Sequence, residues 1–154
     1  MLEYLRRLVA DVPDEIMTRQ AHHVVNHPSW VIGHLTYSCQ AIGGEMGLDP
    51  WLPEHWETDF GAGSTPTDEL ARYPKKAALL AALADAQQRI VSRLKSIGES
   101  ALEEPLPHER HRPVFPTLGH AVTHILTSHA AVHVGQLTVW RRAVGLGPLA
   151  KSFI

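Results

Sequence analysis

The stretch Thr117–Val144, TLGHAVTHILTSHAAVHVGQLTVWRRAV, contains no acidic residue and repeats its apolar side chains at helical spacing. With His129 at zero on a helical wheel, Leu118, Val122, Ile125, Leu126, Val132, Leu137, Trp140 and Val144 fall within roughly 80° of it. His133 lies about 40° away, inside the same stripe. His120 and His124 form a second i, i+4 pair, but at roughly 180–220°. The wheel therefore predicts that His129 and His133 face a core and that His120 and His124 face solvent. One long helix ends this chain's pattern, and Gly145 and Gly147-Pro148 stop it.

Working back from that helix, three more amphipathic segments appear. Leu2, Leu5, Leu8, Val9, Val12 and Ile16 recur at helical spacing, with a break or kink expected at Pro13. His22 to His27 is a connection. Asn26 or Ser29 is expected to cap a second helix with Pro28 in its first turn. That helix places Trp30, Val31, His34, Tyr37, Ala41 and Ile42 on one side and ends at Gly43-Gly44 or Gly47. A Pro/Gly-rich connection runs from about Leu48 to Tyr73, with a short helical turn expected at Thr67 to Arg72. Pro74 opens a third helix through Leu79, Leu80, Leu83, Ile90, Val91 and Leu94 to Gly98, and a proline-bearing loop follows from Glu99 to Pro116. Nothing alternates as a strand. The fold class is all-α, a four-helix bundle, and the length of 154 residues predicts a single domain over 1–154. The long second connection can cross the bundle end to end, which makes helices two and three parallel.

Composition limits the function classes. The formal net charge is −2 with neutral histidines, and no Lys/Arg run dominates, so no nucleic-acid partner is expected. Basic residues without acids nevertheless fill the C-terminal part, among them Arg141, Arg142 and Lys151. No apolar run approaches the ~20 residues of a membrane span, and the amphipathic first segment does not read as a signal peptide. The single cysteine, Cys39, excludes an internal disulfide and suits a cytoplasmic location.

The 11 histidines are sorted by position. His34 shares the apolar stripe of helix two, next to Gly33, whose missing side chain permits close approach. His34, His129 and His133 together make a three-imidazole site that leaves coordination positions open, the pattern of catalytic rather than structural metals. The other reading is three histidines satisfied within a core; several unpartnered imidazoles there are costly, and a metal relieves that cost. His22, His23, His27, His55, His108 and His111 read as loop surface. Glu45 lies about three turns from His34 and reads as an end-of-helix charge. Gln136 either orients a ligand or is a polar residue satisfied inside the bundle. Tyr37 reads as core packing ahead of a proton donor, and Cys39, about 140° from His34, points elsewhere. Trp51, Trp56 and Phe60 either wall a pocket mouth or anchor the loop. No catalytic residue is assigned. Helix four lacks carboxylates and no helix carries Glu-x-x-His, which excludes a ferritin-like di-iron centre.

Asn26-His27-Pro28-Ser29-Trp30-Val31-Ile32-Gly33-His34-Leu35 and Ser128-His129-Ala130-Ala131-Val132-His133-Val134-Gly135-Gln136-Leu137 resemble the second-helix and fourth-helix signatures of the DinB/YfiT-like superfamily. The loop Trp56 to Ser64 and the segment Arg141 to Leu146 are similar to it too. The resemblance implies an up-down-down-up bundle holding a divalent ion, nickel or zinc, on His34, His129 and His133. It also implies a homodimer. It further implies a thiol-dependent S-transferase or a hydrolase acting on a small molecule, with a low-molecular-weight thiol as possible cosubstrate. The alternative is a non-catalytic metal- or ligand-binding sensor on the same bundle. Ala130 and Val134 depart from the pattern, where relatives often carry polar residues.

Overall fold

Pro13 ends the first helix earlier than its apolar spacing predicts. Proline disfavours the helical conformation of the residue before it and lacks an N–H of its own. The computed structural model describes residues 2–149; Lys151 lies outside them. Helix α1 is Leu2–Ala10, and Asp14–Ile16 forms a separate 3-10 turn. Helix α2 is Pro28–Glu45, with Pro28 in its first turn as expected.

Neither Asn26 nor Ser29 caps α2. His27 does: its Nδ1 accepts from the Trp30 N–H at 3.2 Å. Its Nε2–H donates to the Thr67 carbonyl at 2.7 Å, and its ring packs edge-on against Tyr73. His27 is thus fully buried, not the surface loop residue its sequence context suggests. Burial pushes its pKa down to about 4. Because the folded pKa lies below the unfolded one, near 6.5, protons bind the unfolded chain preferentially. The stabilisation is complete above pH 6.5 and lost as pH falls towards 4. That difference corresponds to about 3 kcal/mol. His27→Asn keeps a cap acceptor and cannot titrate. Urea unfolding of the two proteins across pH 7.5 to 4 is expected to show the wild type losing up to about 3 kcal/mol more than the variant. Parallel stability profiles would rule out this role.

Both expected loops contain helices. The first holds α3 (His55–Phe60) and a 3-10 turn at Leu70–Arg72, and the second holds α5 (Glu99–Glu103) and a turn at Glu109–His111. Between them α4 runs Lys76–Ile97, and Gly98 at φ 78° takes a left-handed conformation at the junction with α5. The last helix is α6 (Leu118–His124), a π-helical turn (Ile125–His129) and α7 (Ala130–Ala143).

The π turn corrects the single-stripe wheel. Buried Leu118, Ala121 and Val122 centre about 30° to one side of His129, whereas buried His133, Val134, Leu137, Trp140 and Arg141 centre about 80° to the other. The offset matches the roughly 100° of one extra residue accommodated in a wider turn. Val132, expected inside, is consequently 60% exposed, and Val134 is buried.

Among the described residues there is no strand, and the principal helical segments α1, α2, α4 and α6–α7 form an all-α bundle. Helix α2 packs against α3, α4 and α7, and α1 packs against α7. The core has two clusters. One gathers Leu5, Leu8, Val31, Ile32, Phe60, Leu83, Leu137 and Trp140; the other gathers Cys39, Ile42, Ile90, Leu106, Leu118 and Val122. Helix α2 contributes to both, with His34 set in sequence among its residues of the first cluster, Trp30 to Leu35. Among the described residues no helix is long and apolar enough to cross a membrane.

Candidate metal centre

The bundle brings His34 of α2 together with His129 at the end of the π turn and His133 of α7. His34 and His133 are buried and His129 is half-buried. His129 Nε2 lies 3.0 Å from His34 Nε2 and 3.2 Å from His133 Nε2. Each ring offers one nitrogen, and these nitrogens all lie within 4.8 Å of one another. Two imidazoles bound to one ion at about 2.0–2.1 Å sit roughly 3 Å apart, so the spacing fits a shared ion.

The outward nitrogens decide the protonation. His34 Nδ1 lies 2.6 Å from the Phe60 carbonyl, and His133 Nδ1 lies 3.0 Å from Gln136 Oε1. Both partners are oxygens that only accept, so both Nδ1 atoms carry the proton and both Nε2 atoms present bare lone pairs. Those two lone pairs converge on His129 Nε2, and one N–H cannot serve both well. His129 Nδ1, meanwhile, is buried without a protein partner. Either tautomer of His129 leaves polar atoms unsatisfied, at a cost of roughly 1–3 kcal/mol. A cation at the point of convergence answers all three Nε2 atoms. The cluster therefore could hold one divalent metal ion.

Electrostatics suit that role. Burial lowers the pKa of His34, and lowers those of His129 and His133 to about 4. The neighbouring imidazoles add to the lowering at His129 and His133, while Gln136 opposes it at His133. All three rings stay neutral at physiological pH, the state in which imidazole binds metals.

Support for the rings comes from residues near in sequence, themselves tied to distant ones. Trp30 stacks on His34 with centroids 4.6 Å apart and planes 9° from parallel, and its Nε1–H donates to Ser64 Oγ. Gln136 Oε1 also accepts from Asn26 Nδ2 at 3.0 Å, tying the connection before α2 to α7. Gln136 thus orients a candidate ligand, one of the two roles open to it from sequence. The Phe60 carbonyl and Asn26 carry no local signal for their parts.

Gly33 admits the Phe60 ring, not another long helix: a Cβ at Gly33 would overlap that ring. Gly33→Ala must push Phe60 aside, and the carbonyl that holds His34 moves with it. The expected cost is about 1–3 kcal/mol, read by thermal unfolding, with weakened metal retention beside it. Wild-type stability and retention together would refute the coupling.

Other candidates fall elsewhere. Glu45 stays away from the cluster and accepts the His108 N–H. Cys39 is buried in the second core cluster, and burial pushes its thiol up to about 12. Trp56 and Phe60 are buried anchors, and Trp51 lies under the Arg89 guanidinium. Tyr37 is half-buried beside His34, its phenol held above its ordinary pKa by burial and by Glu57. His120 is exposed and hydrogen-bonds Thr117, as its face predicts. His124 does not: the π turn rotates it towards the cluster, 6.0 Å from His129 between ring centroids, with Phe115 against its ring.

A family model of the DinB superfamily matches residues 1–137, a span that includes all three histidines and Gln136. The chain belongs to the DinB superfamily. No curated protein and no solved structure gives a match. As a DinB protein the chain is compatible with metal binding, and the three-histidine cluster is where its helices gather the donors for it.

Proposed function

We propose that this DinB protein is a metal-dependent enzyme in which His34, His129 and His133 hold one nickel or zinc ion and a small molecule reacts beside it. The observation that carries this reading is the convergence of three Nε2 atoms, two of them stripped of protons by oxygen partners on the far side of their rings. Three imidazoles with no carboxylate or thiolate leave coordination positions open, which favours catalysis over a closed structural site. When bound, a divalent ion supplies Lewis acidity and lowers the pKa of water or a thiol. The protein's own share is positional. Gln136 and the Phe60 carbonyl fix the rings, and Trp30 covers one face of His34. Thiol-dependent S-transfer is the first reaction class to test and hydrolysis the second. We further propose one domain over 1–154, a cytoplasmic homodimer, and no nucleic-acid or membrane partner.

The test is metal content by mass spectrometry on untagged protein, followed by turnover of small electrophiles with and without low-molecular-weight thiols. About one ion per chain and a rate that saturates in thiol is the expected result. Turnover without thiol selects hydrolysis. A stoichiometric ion without any turnover selects the non-catalytic sensor. No metal after reconstitution with nickel and zinc refutes the proposal.

A further inference from the structure

A cavity of about 340 Å³ opens from the His34 side of the cluster and runs along α2 to Glu45. Those two residues are three turns apart, roughly 16 Å by helical rise, so the space is a long, narrow slot. Its volume is at the low end for small-molecule sites. The walls are mainly apolar, from Ala41, Ile42, Leu106, Phe115 and Ile125. No Lys or Arg lines it. Arg112, close in sequence to the wall, is committed to the Leu106 carbonyl at 2.7 Å and to Glu109 at 3.1 Å. The one carboxylate on the wall is Glu45, at the end far from His34, and the imidazoles on it are His34, His111 and His124. Ser38 points its hydroxyl at the His34 carbonyl, so it is already engaged.

We propose that this slot is the substrate pocket of the centre and selects an uncharged, elongated apolar group, excluding carboxylates and phosphates. The inference rests on the metal-dependent reading for the word substrate; the binding preference itself does not need the ion. Along the walls an anion loses its water, finds no Lys or Arg to replace it, and meets the Glu45 carboxylate at the far end; the one cation would be the ion at the His34 end, outside the slot itself. An apolar chain or narrow ring system gains the burial of the aliphatic and aromatic wall. His111 and His124 on the wall offer polar contacts to a neutral ligand.

The test uses the neutral fluorophore N-phenyl-1-naphthylamine, displaced by 2-naphthamide or by 2-naphthoate, which share a ring system and differ in charge. The measurement is made at pH 8, where imidazoles in general are neutral. Saturable fluorophore binding is expected, with the amide displacing it at least about tenfold better than the carboxylate. Glu45→Gln should narrow that preference, and Ala41→Phe, which fills the slot, should weaken fluorophore binding about tenfold or more with metal content and helicity unchanged. His133→Ala, which does not line the slot, should keep fluorophore binding while losing metal. That last pairing separates the two proposals: binding without metal leaves the slot and removes the centre. Equal or better displacement by 2-naphthoate, or an unaltered fluorophore affinity in Ala41→Phe, overturns the inference.

Discussion

His133→Ala is expected to purify with less than about a tenth of the wild-type metal, because a three-imidazole site loses a third of its donors and the ring that Gln136 aligns. The same loss is expected for His34→Ala and His129→Ala. Gln136→Ala should keep all three donors yet bind about 10–100-fold more weakly in a chelator competition, since His133 loses the acceptor that fixes its tautomer. His120→Ala is the control: it is exposed, bonded to Thr117, and should retain metal fully. Acid adds an independent reading. Protons compete with metal only where the free imidazoles accept them, and burial with mutual repulsion holds His129 and His133 down to about 4. Metal should therefore be retained at pH 6 and released on approaching pH 4. An unchanged stoichiometry in His133→Ala would show that the three rings are core packing and nothing more, and release already complete at pH 6 would show that burial does not hold off their protonation.

How far the sequence disclosed this centre depends on what a helical wheel assumes. A wheel presumes constant rotation, and the wide turn at Ile125–His129 breaks that assumption. His129 closes the wide turn and His133 lies four residues on in α7, so their mutual offset survives and the pair reads correctly. His124 precedes the turn, and the extra residue moves it from the outer face to within contact of His129. Val132 fails for the same reason in the opposite sense. On α2 the local pattern was sufficient: Trp30 and His34 share a face because they are four apart, and they stack. Of the groups that align the rings, Gln136 was legible as one of two readings, and the distant ones were not. Asn26 reaches Gln136 across 110 positions, and the Phe60 carbonyl belongs to a helix hidden in a Pro/Gly-rich segment. His27 shows the limit of local capping rules. Its neighbours suit the cap position better by propensity, but Thr67 and Tyr73 reward a histidine there.

Asp11→Ala is expected to destabilise the protein by about 3 kcal/mol or more, and to cost more than Arg141→Met. The guanidinium of Arg141 is 2% exposed. It donates to Asp11 Oδ1 at 2.5 Å and Oδ2 at 3.0 Å, to the Leu8 carbonyl at 2.6 Å and to the Gly147 carbonyl at 3.3 Å. Leu8 lies in the last turn of α1, where carbonyls lack helical partners, so Arg141 caps α1 from α7. The two partners are unequal in burial: the Asp11 side chain keeps 59% of its exposure against 3% for Arg141. Removing Asp11 strands a buried cation with carbonyls alone. Removing Arg141 frees a carboxylate that water can reclaim, leaving chiefly the Leu8 carbonyl unpaired, which is worth about 1–3 kcal/mol. Methionine fills much of the vacated volume. The order, Asp11→Ala worse than Arg141→Met, is measured by urea unfolding of both variants beside the wild type. The reverse order would mean that Arg141 acts through the Leu8 and Gly147 carbonyls and that the ion pair adds little. Arg141 follows His133 by eight residues on the same helix, about 12 Å along its axis, so both variants should retain metal while they remain folded. Metal loss at native-like helicity would instead show that the seating of α1 on α7 sets the position of the histidines.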